Sequence, residues 1–342
     1  MCALRGSISR RANVYPQRRY KQGGSHLPKN IRREVRYHKE SRYYMFKSGY
    51  AVIVGRPNVG KSTLMNHLIG QKIAITSNRP QTTRGRIETV YTNERGQIIF
   101  LDTPGMIRKA DNKLGEYLID VSNKTIGDAD VVLWLIEPSA YIGKGDQMIA
   151  EKLTKSGKPV ILIINKIDTI DKKKAAEIIE AWKGVCRFKD IIAVSALRSI
   201  NMDEVINSIM RELPEGPLYY DEETVTQENM RDIAAEIIRE KALRALNEEV
   251  PHGIAVVIDT FKERSDDLTA IEASIITEKE SHKGIIIGKG GAMLKKIGTD
   301  ARRDIEEMTG TRVFLKLFVK VRKNWRDSES DLRDYGYDRK KL

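Results

Sequence analysis

The sequence predicts a doubly wound α/β domain followed by a smaller α+β module. Three features carry that prediction. From Tyr50 onward, short β-branched runs that are apolar on both faces alternate with helical stretches, the pattern of a mostly parallel sheet covered on both sides. Leu213-Pro214-Glu215-Gly216-Pro217 and the acidic Asp221-Glu222-Glu223 then interrupt the rhythm. Beyond the break the order of elements changes to α-β-β-α-α-β.

In the first domain, placed at 45–215, the strand-like runs are 51–54, 98–101, 131–136, 160–164 and 191–194. Segments such as 172–182 are long enough for crossover helices. Residues 87–91 alternate, and Asn93-Glu94-Arg95-Gly96 is a turn signal, so this pair reads as a hairpin at the sheet edge. Residues 216–226 read as a linker. The second module is placed at 227–325. Its first helix, 229–246, brings Ile233, Ile237, Ala242 and Leu246 to one face. Strands follow at 253–261 and 270–277, then a helix–glycine–helix stretch over 283–308 and a third strand at 311–321. The tail, 326–342, is highly charged.

Composition narrows the function classes. The 342 residues carry a net charge of +13, but nine Arg, three Lys and two Glu in residues 1–44 account for ten of those charges. The high pI is therefore a property of the N-terminal extension and does not by itself make the folded body a nucleic-acid binder. The extension lacks apolar periodicity and is expected to be disordered alone. It reads as an organellar transit peptide, as a basic arm for RNA or anionic lipid, or as sequence upstream of a functional start at Met45. No apolar run is long enough to span a membrane. Two cysteines, Cys2 and Cys186, and five scattered histidines build neither a disulfide framework nor a zinc site.

Gly55-Arg56-Pro57-Asn58-Val59-Gly60-Lys61-Ser62 fits GxxxxGK[ST] between a predicted strand and a helix. Backbone N–H groups of such a loop and the helix N-terminus, with the adjoining Thr63, cradle a phosphate chain. Lys61 can neutralise the outer phosphates, and the Ser62 hydroxyl can ligate Mg²⁺. Asp102-Thr103-Pro104-Gly105 ends the third strand, where ligands of open α/β sheets sit. There Asp102 can hold the metal through water, and Gly105 can turn a backbone N–H to the γ-phosphate. Asn165-Lys166-Ile167-Asp168 ends a later strand. A carboxylate at Asp168 can accept from the adjacent N1–H and N2-amino donors of guanine, a pair that adenine does not offer, which argues for GTP over ATP. Asn165 would brace the loop, and Lys166 would lay its stem over the base. Ser195-Ala196-Leu197 ends the last strand and can offer the Ala196 N–H to the guanine O6. Gln81-Thr82-Thr83-Arg84 is a candidate switch loop, with the Thr83 hydroxyl favoured over Thr82 as an Mg²⁺ ligand, the alternative being a polar surface loop. A second switch would run from Met106 to about Lys113.

In the second module, Gly288-Lys289-Gly290-Gly291 matches the GxxG loop of a KH domain, and α-β-β-α-α-β matches its type II topology. Two glycines let the helices close on a sugar–phosphate backbone beside an apolar groove. Ile285, Ile286 and Ile287 could line that groove and Lys289 could meet a phosphate. Lys295, Lys296, Arg302 and Arg303 extend the cationic surface or form a solvated helix face. Few aromatics look exposed, so base stacking is expected to be secondary.

With these segments in order, residues 50–325, about four-fifths of the chain, resemble the Era family of bacterial ribosome-assembly GTPases. The resemblance implies a P-loop GTPase sheet followed by a type II KH domain, binding GTP or GDP with Mg²⁺. It implies contacts to single-stranded 16S ribosomal RNA near its 3′ end and to the assembling 30S subunit. A cytoplasmic location with loose association at the inner membrane surface also follows from it, and monomer is the default state. Lys61, Thr83 and Gly105 are the residues expected to serve hydrolysis. One departure from the Ras-like pattern matters: Met106 follows the DTPG segment, and methionine cannot orient an attacking water. Asn58 resembles the asparagine of potassium-activated GTPases, although it could simply cap the loop.

Overall fold

The structure is a computed structural model that describes residues 46–70, 87–106, 110–226, 229–247, 250–265 and 267–341. The 1–44 extension and the Gln81–Arg84 loop lie outside the described residues, as do 107–109 of the second switch.

The first sheet is built from β1 (Lys47–Gly55), β2 (Ile87–Asn93), β3 (Gly96–Asp102), β4 (Val131–Ile136), β5 (Val160–Ile164) and β6 (Phe188–Ala193). Their order is β2-β3-β1-β4-β5-β6, with β2 antiparallel to β3 and all other pairs parallel. Helices α1 (Lys61–Ile69), α2 (Lys113–Asp128), α3 (Lys144–Ser156), α4 (Lys172–Trp182) and α5 (Met202–Glu212) cover both faces. Successive strand residues alternate between two cores, which is why the runs are apolar throughout. Ala51, Ile53, Leu133 and Leu135 pack with Leu64 of α1 and Val205 and Ile209 of α5. Val52, Val54, Val132 and Trp134 pack with Ile126, Ile149 and Ile178 from α2, α3 and α4.

Residues 216–226, expected as a linker, lie against the β2–β3 hairpin. Buried Gln97 of β3 donates from Nε2 to Tyr220 O at 2.8 Å and accepts the N–H groups of Tyr219 and Tyr220 at Oε1, 2.9 and 3.0 Å. The Val90 N–H donates to Val225 O at 2.8 Å, and Thr226 pairs with Thr89 as an antiparallel bridge. The segment thereby covers the edge of β2, an otherwise unpaired row of donors and acceptors.

The second module contains α6 (Met230–Ala245), β7 (Ala255–Ser265), β8 (Leu268–Thr277), α7 (Glu280–Ile287), α8 (Ala292–Thr309) and β9 (Arg312–Val321). Its sheet runs β7-β8-β9, antiparallel then parallel. Ile233, Ile237, Ala242 and Leu246 enter its core with Ile297, Ala301 and Ile305 of α8. Arg239, Glu240 and Lys241 of α6 are also buried, which helical phase alone does not reveal. They are compensated by Glu236 on Arg239 at 2.5 Å, Arg244 on Glu240 at 2.8 Å and Asp304 on Lys241.

The charged tail is ordered against the first domain. Trp325 is fully buried and donates to Gly253 O at 3.1 Å. With Leu332 of α9 (Glu329–Asp334), Tyr335 and Tyr337 it packs on Leu114, Tyr117, Leu118 and Val121 of α2. Two of the tail's charges pair with α2: Glu329 with Lys113 at 3.0 Å, and Arg339 with Glu116 and Asp120 at 3.0 and 3.3 Å.

Candidate functional site

The loops that follow β1, β3, β5 and β6 meet at the carboxyl edge of the first sheet. Gly60 ends the phosphate loop with φ 98°, and a Cβ there would stand 2.4 Å from Asn165 Nδ2. Only glycine lets the two loops approach this closely. Asn165 Nδ2 donates to Val59 O at 2.9 Å, while its Oδ1 accepts the Ala196 N–H at 2.9 Å. One buried amide thus clamps three loops together.

Lys61 is buried and donates to the carbonyls of Arg56 and Gly55 at 3.2 and 3.4 Å. Burial pushes its ammonium below the ordinary pKa of lysine, against the opposing pull of Asp102. The Ser62 hydroxyl donates to Asp102 Oδ2 at 3.1 Å, and both residues are buried. Thr63 is half-buried on the next position of α1. Thr103 Oγ1 donates to Ile53 O at 2.9 Å, and Pro104 O accepts from Ser122 at 3.3 Å. Gly105 faces Pro57: an added Cβ would lie 3.2 Å from its ring. The Met106 N–H donates to Gly55 O at 3.2 Å, and the Met106 side chain is buried in the core with Val52 and Val54.

On the base side, Lys166 adopts φ 62° and donates to Asn58 O at 3.0 Å and to Glu137. Asn58, at φ 67°, is exposed, and left-handed backbone suits asparagine better than most residues. Asp168 accepts from the Ser195 hydroxyl at 2.6 Å, with Arg198 3.7 Å away. The Ser195 hydrogen bond, aided by Arg198, holds this carboxyl below the usual aspartate range although burial opposes it. Leu197 is largely exposed. Thr83 lies outside the described residues. Residue-by-residue reading of the sequence misses Glu137 and Asp146, which pair with Lys166 and Arg56. Asp146 carries only the signal of a helix cap, and Glu137 none.

In the second module, Gly288-Lys289-Gly290-Gly291 links α7 to α8. Gly290 and Gly291 have φ 59° and 81°, and nothing lies within 4 Å of an added Cβ at either, so their backbone is open to a ligand. Lys289 in the loop and Lys295 and Lys296 near the start of α8 are exposed beside it, while Arg302 and Arg303 are exposed further along α8. Ile285 is half exposed and Ile287 partly buried. Ile286 corrects the expected groove lining: its side chain is fully buried in the module's core, because α7 turns that position inward. Among the described residues of the module the exposed aromatics are Phe314 and Phe318, which project from β9, with Lys316 4.8 Å from the Phe318 ring centroid; strand alternation over 312–320 is the signal that would single them out.

A family model described as a 50S ribosome-binding GTPase matches residues 50–166, and a KH-domain model matches residues 249–326. The chain is 49% identical over 293 residues to GTPase Era of Clostridium kluyveri, covering 86% of this chain and all of that protein. It is 50% identical over 292 residues to GTPase Era of Thermoanaerobacter sp. strain X514, covering 85% of this chain and 96% of the relative. Among solved structures, a variant of Aquifex aeolicus Era bound to GDP and AlF4− has a TM-score of 0.82 at 40% identity, over 86% of this chain and 100% of that one. An Era in complex with magnesium, GDPNP and nucleotides 1506–1542 of 16S ribosomal RNA gives the same TM-score and identity, over 86% and 99%. Identity near one half along essentially the whole length of these relatives, on a matching two-part fold, means that this chain belongs to the Era family of GTPases.

Proposed function

We propose that the chain is a Mg²⁺-dependent GTP-hydrolysing switch that binds single-stranded 16S ribosomal RNA near its 3′ end through the KH module and assists small-subunit assembly. The observation that carries this reading is the pairing, in one chain, of four nucleotide-type loops at one sheet edge with an open, cation-flanked glycine loop. The relative solved with both a GTP analogue and a 16S fragment supports the same pairing. The domain limits 45–215 and 227–325 serve as its working boundaries, with 216–226 fastened to the first.

In this reading the loop amides and Lys61 hold the phosphates, and the Gly105 N–H faces the γ-phosphate. Asp168 accepts from guanine, and Lys166 covers the base. The Ala196 N–H is engaged by Asn165, so it serves the guanine O6 by sharing or exchanging that partner. Ser62 and Asp102, two buried oxygen donors 3.1 Å apart, fit a hard cation, and with Thr83 they would hold Mg²⁺, which neutralises phosphate charge. Met106 is buried and its thioether cannot orient water, so in this reading K⁺ beside Asn58 would supply the missing stabilisation. Cytoplasmic location, loose contact with the inner membrane surface and a monomeric state rest on the family resemblance.

Occupancy of the two sites should be linked in both directions. A filter titration of a 16S 3′-end oligonucleotide with GTP analogue or GDP bound tests this. Different RNA affinities in the two nucleotide states are expected, whereas equal affinities would remove the switch and absence of RNA retention would remove the RNA reading.

A further inference from the structure

The connection between β4 and α3 belongs to none of the nucleotide-type motifs, yet a carboxylate lies at each end of it. Asp146, in the first turn of α3, has no exposed surface. A carboxylate so placed persists only when hydrogen-bonded and paired. Its Oδ2 accepts the Gly143 N–H at 3.0 Å, which accounts for one oxygen as a helix cap. Its Oδ1 lies 3.1 Å from Nε of Arg56, the second residue of the phosphate loop. Gly145 runs beside the same side chain, with an added Cβ 3.7 Å from Arg56 Cδ. The carbonyl of Arg56 in turn accepts from Lys61 Nζ at 3.2 Å. A continuous path of contacts thus leads from α3 to the ammonium that meets the phosphates.

Glu137, at the other end of the connection, pairs with Lys166, which also donates to Asn58 O at 3.0 Å. The intervening loop is itself stapled, because buried Trp182 donates from Nε1 to Ser139 O at 2.8 Å. The two arms differ in weight. Lys166 and Glu137 are both about two-fifths exposed, so their pair is screened by water. In the Asp146 arm Arg56 is 38% exposed but the carboxylate has no exposed surface, so removing Arg56 would leave a buried charge without its counter-ion, which makes this the more sensitive arm.

We propose that Asp146 is a positioning residue for the phosphate grip, acting through Arg56, with Glu137 a weaker counterpart for the base grip through Lys166. The inference rests on the GTP-site reading above and adds to it the structure that sets the loop's shape from behind.

The test uses the full chain and isothermal titration with GMP, GDP and a non-hydrolysable GTP analogue. Asp146→Asn keeps an oxygen to cap the Gly143 N–H but removes the charge facing Arg56. The expected result is about a tenfold loss of affinity for GDP and GTP analogue with GMP little changed, since GMP relies least on the phosphate loop. In turnover, KM should rise while kcat holds, the signature of lost uniform binding. Arg56→Met, at a partly exposed position that should fold, is expected to give the same loss, Arg56→Lys to recover part of it, and Arg56→Met with Asp146→Asn to be no worse than either alone. Wild-type GDP affinity in Asp146→Asn or Arg56→Met, equal losses for all three nucleotides, or additive losses in the double variant would overturn the proposal. A wild-type chain that binds none of the nucleotides would instead overturn the GTP-site reading beneath it.

Discussion

The carboxylate of Asp327 accepts a hydrogen bond from the backbone N–H of Lys113 at 3.2 Å, so a residue 214 positions downstream caps the first turn of α2. A helix begins with N–H groups that have no partner inside it. Asn112 satisfies that of Gly115 at 2.9 Å, and Asp327 supplies another acceptor from the far side of the chain. Glu329 adds a 3.0 Å pair to the Lys113 ammonium. Beneath these polar contacts Leu332 and Trp325 bury α2 residues Leu114 and Tyr117. The tail beyond the KH module therefore grips the helix that follows the DTPG loop.

Removing the cap should be measurable by itself. Asp327→Ala is expected to lower the unfolding free energy by about 1 kcal/mol, the usual value of a helix cap. Leu332→Ala, which empties a buried site, should cost about 2–5 kcal/mol of the tail's docking. Chemical denaturation followed by Trp fluorescence distinguishes the two. Unchanged midpoints for both would mean that the tail does not hold α2 in solution.

The three consecutive isoleucines of α7 make a sharper comparison. Ile286 has no exposed surface, whereas Ile285 is 50% exposed. Ile286→Ala should destabilise the module by about 2–5 kcal/mol. Ile285→Ala should stay within about 0.5 kcal/mol of wild type and weaken RNA retention instead. Thermal melts and filter binding on the same two variants separate a core role from a groove role, and reversed outcomes would contradict the burial pattern.

That pair also shows what the sequence can reveal. The sheet was readable because its strands feed two cores, so Val52 and Ile53 must both be apolar, and the nucleotide loops were readable because Gly60, Lys61 and Asp168 occur at fixed strand ends. In Ile285-Ile286-Ile287, by contrast, composition cannot choose the inward residue; only the phase of α7 against α8 does. Gln97 hides for another reason. Its partners in the strap are main-chain groups of Tyr219 and Tyr220, and backbone groups leave no residue signature, so a strap along the sheet has the same Pro-, Gly- and acid-rich composition as a free linker. Trp325, the last residue of the module, and Leu332 of the tail are diluted among charges, some of which pair with α2 only once the chain has folded.

Acid should loosen this tail in a definite direction. Arg322 donates from Nε to both oxygens of Asp331, at 3.1 and 3.0 Å. That hydrogen bond, with a smaller one from Ser328, holds the Asp331 carboxyl below the ordinary aspartate value of 3.8 although burial opposes it. A carboxyl whose folded pKa lies below its unfolded pKa stabilises the fold above the unfolded value and loses that contribution as pH falls through the folded one. Stability attributable to this pair should thus be complete above pH 3.8 and drain away below it. Asp331→Asn should make the acid limb of the stability curve shallower. Superimposable acid limbs would show that the pair is not formed.

Hydrolysis should depend on the monovalent cation. Met106 is buried and cannot orient water, so stabilisation of the developing charge must come from elsewhere. If Asn58 helps to hold K⁺, exchanging K⁺ for Na⁺ should lower kcat by about tenfold or more while nucleotide affinity holds, on the scale of losing one stabilising group. Asn58→Ala should abolish the difference between the two salts. Equal rates in K⁺ and Na⁺ for the wild-type chain would leave Asn58 with a capping role only.

Base choice should rest on Asp168. Its carboxylate is fixed by the Ser195 hydroxyl at 2.6 Å and kept ionised by that contact and by Arg198. Losing the charge-assisted acceptor pair for guanine should cost about a hundredfold or more in GDP affinity. Asp168→Asn replaces one acceptor with an amide donor, which suits a base carrying an oxygen where guanine carries its amino group. Affinity should therefore move toward xanthosine diphosphate as it falls for GDP. Ser195→Ala leaves the carboxylate in place but unbraced, and a smaller loss without a change of base preference is expected. Competition titrations with GDP, XDP and ADP read all three outcomes, and an Asp168→Asn chain that still prefers GDP would show that guanine is selected by other groups.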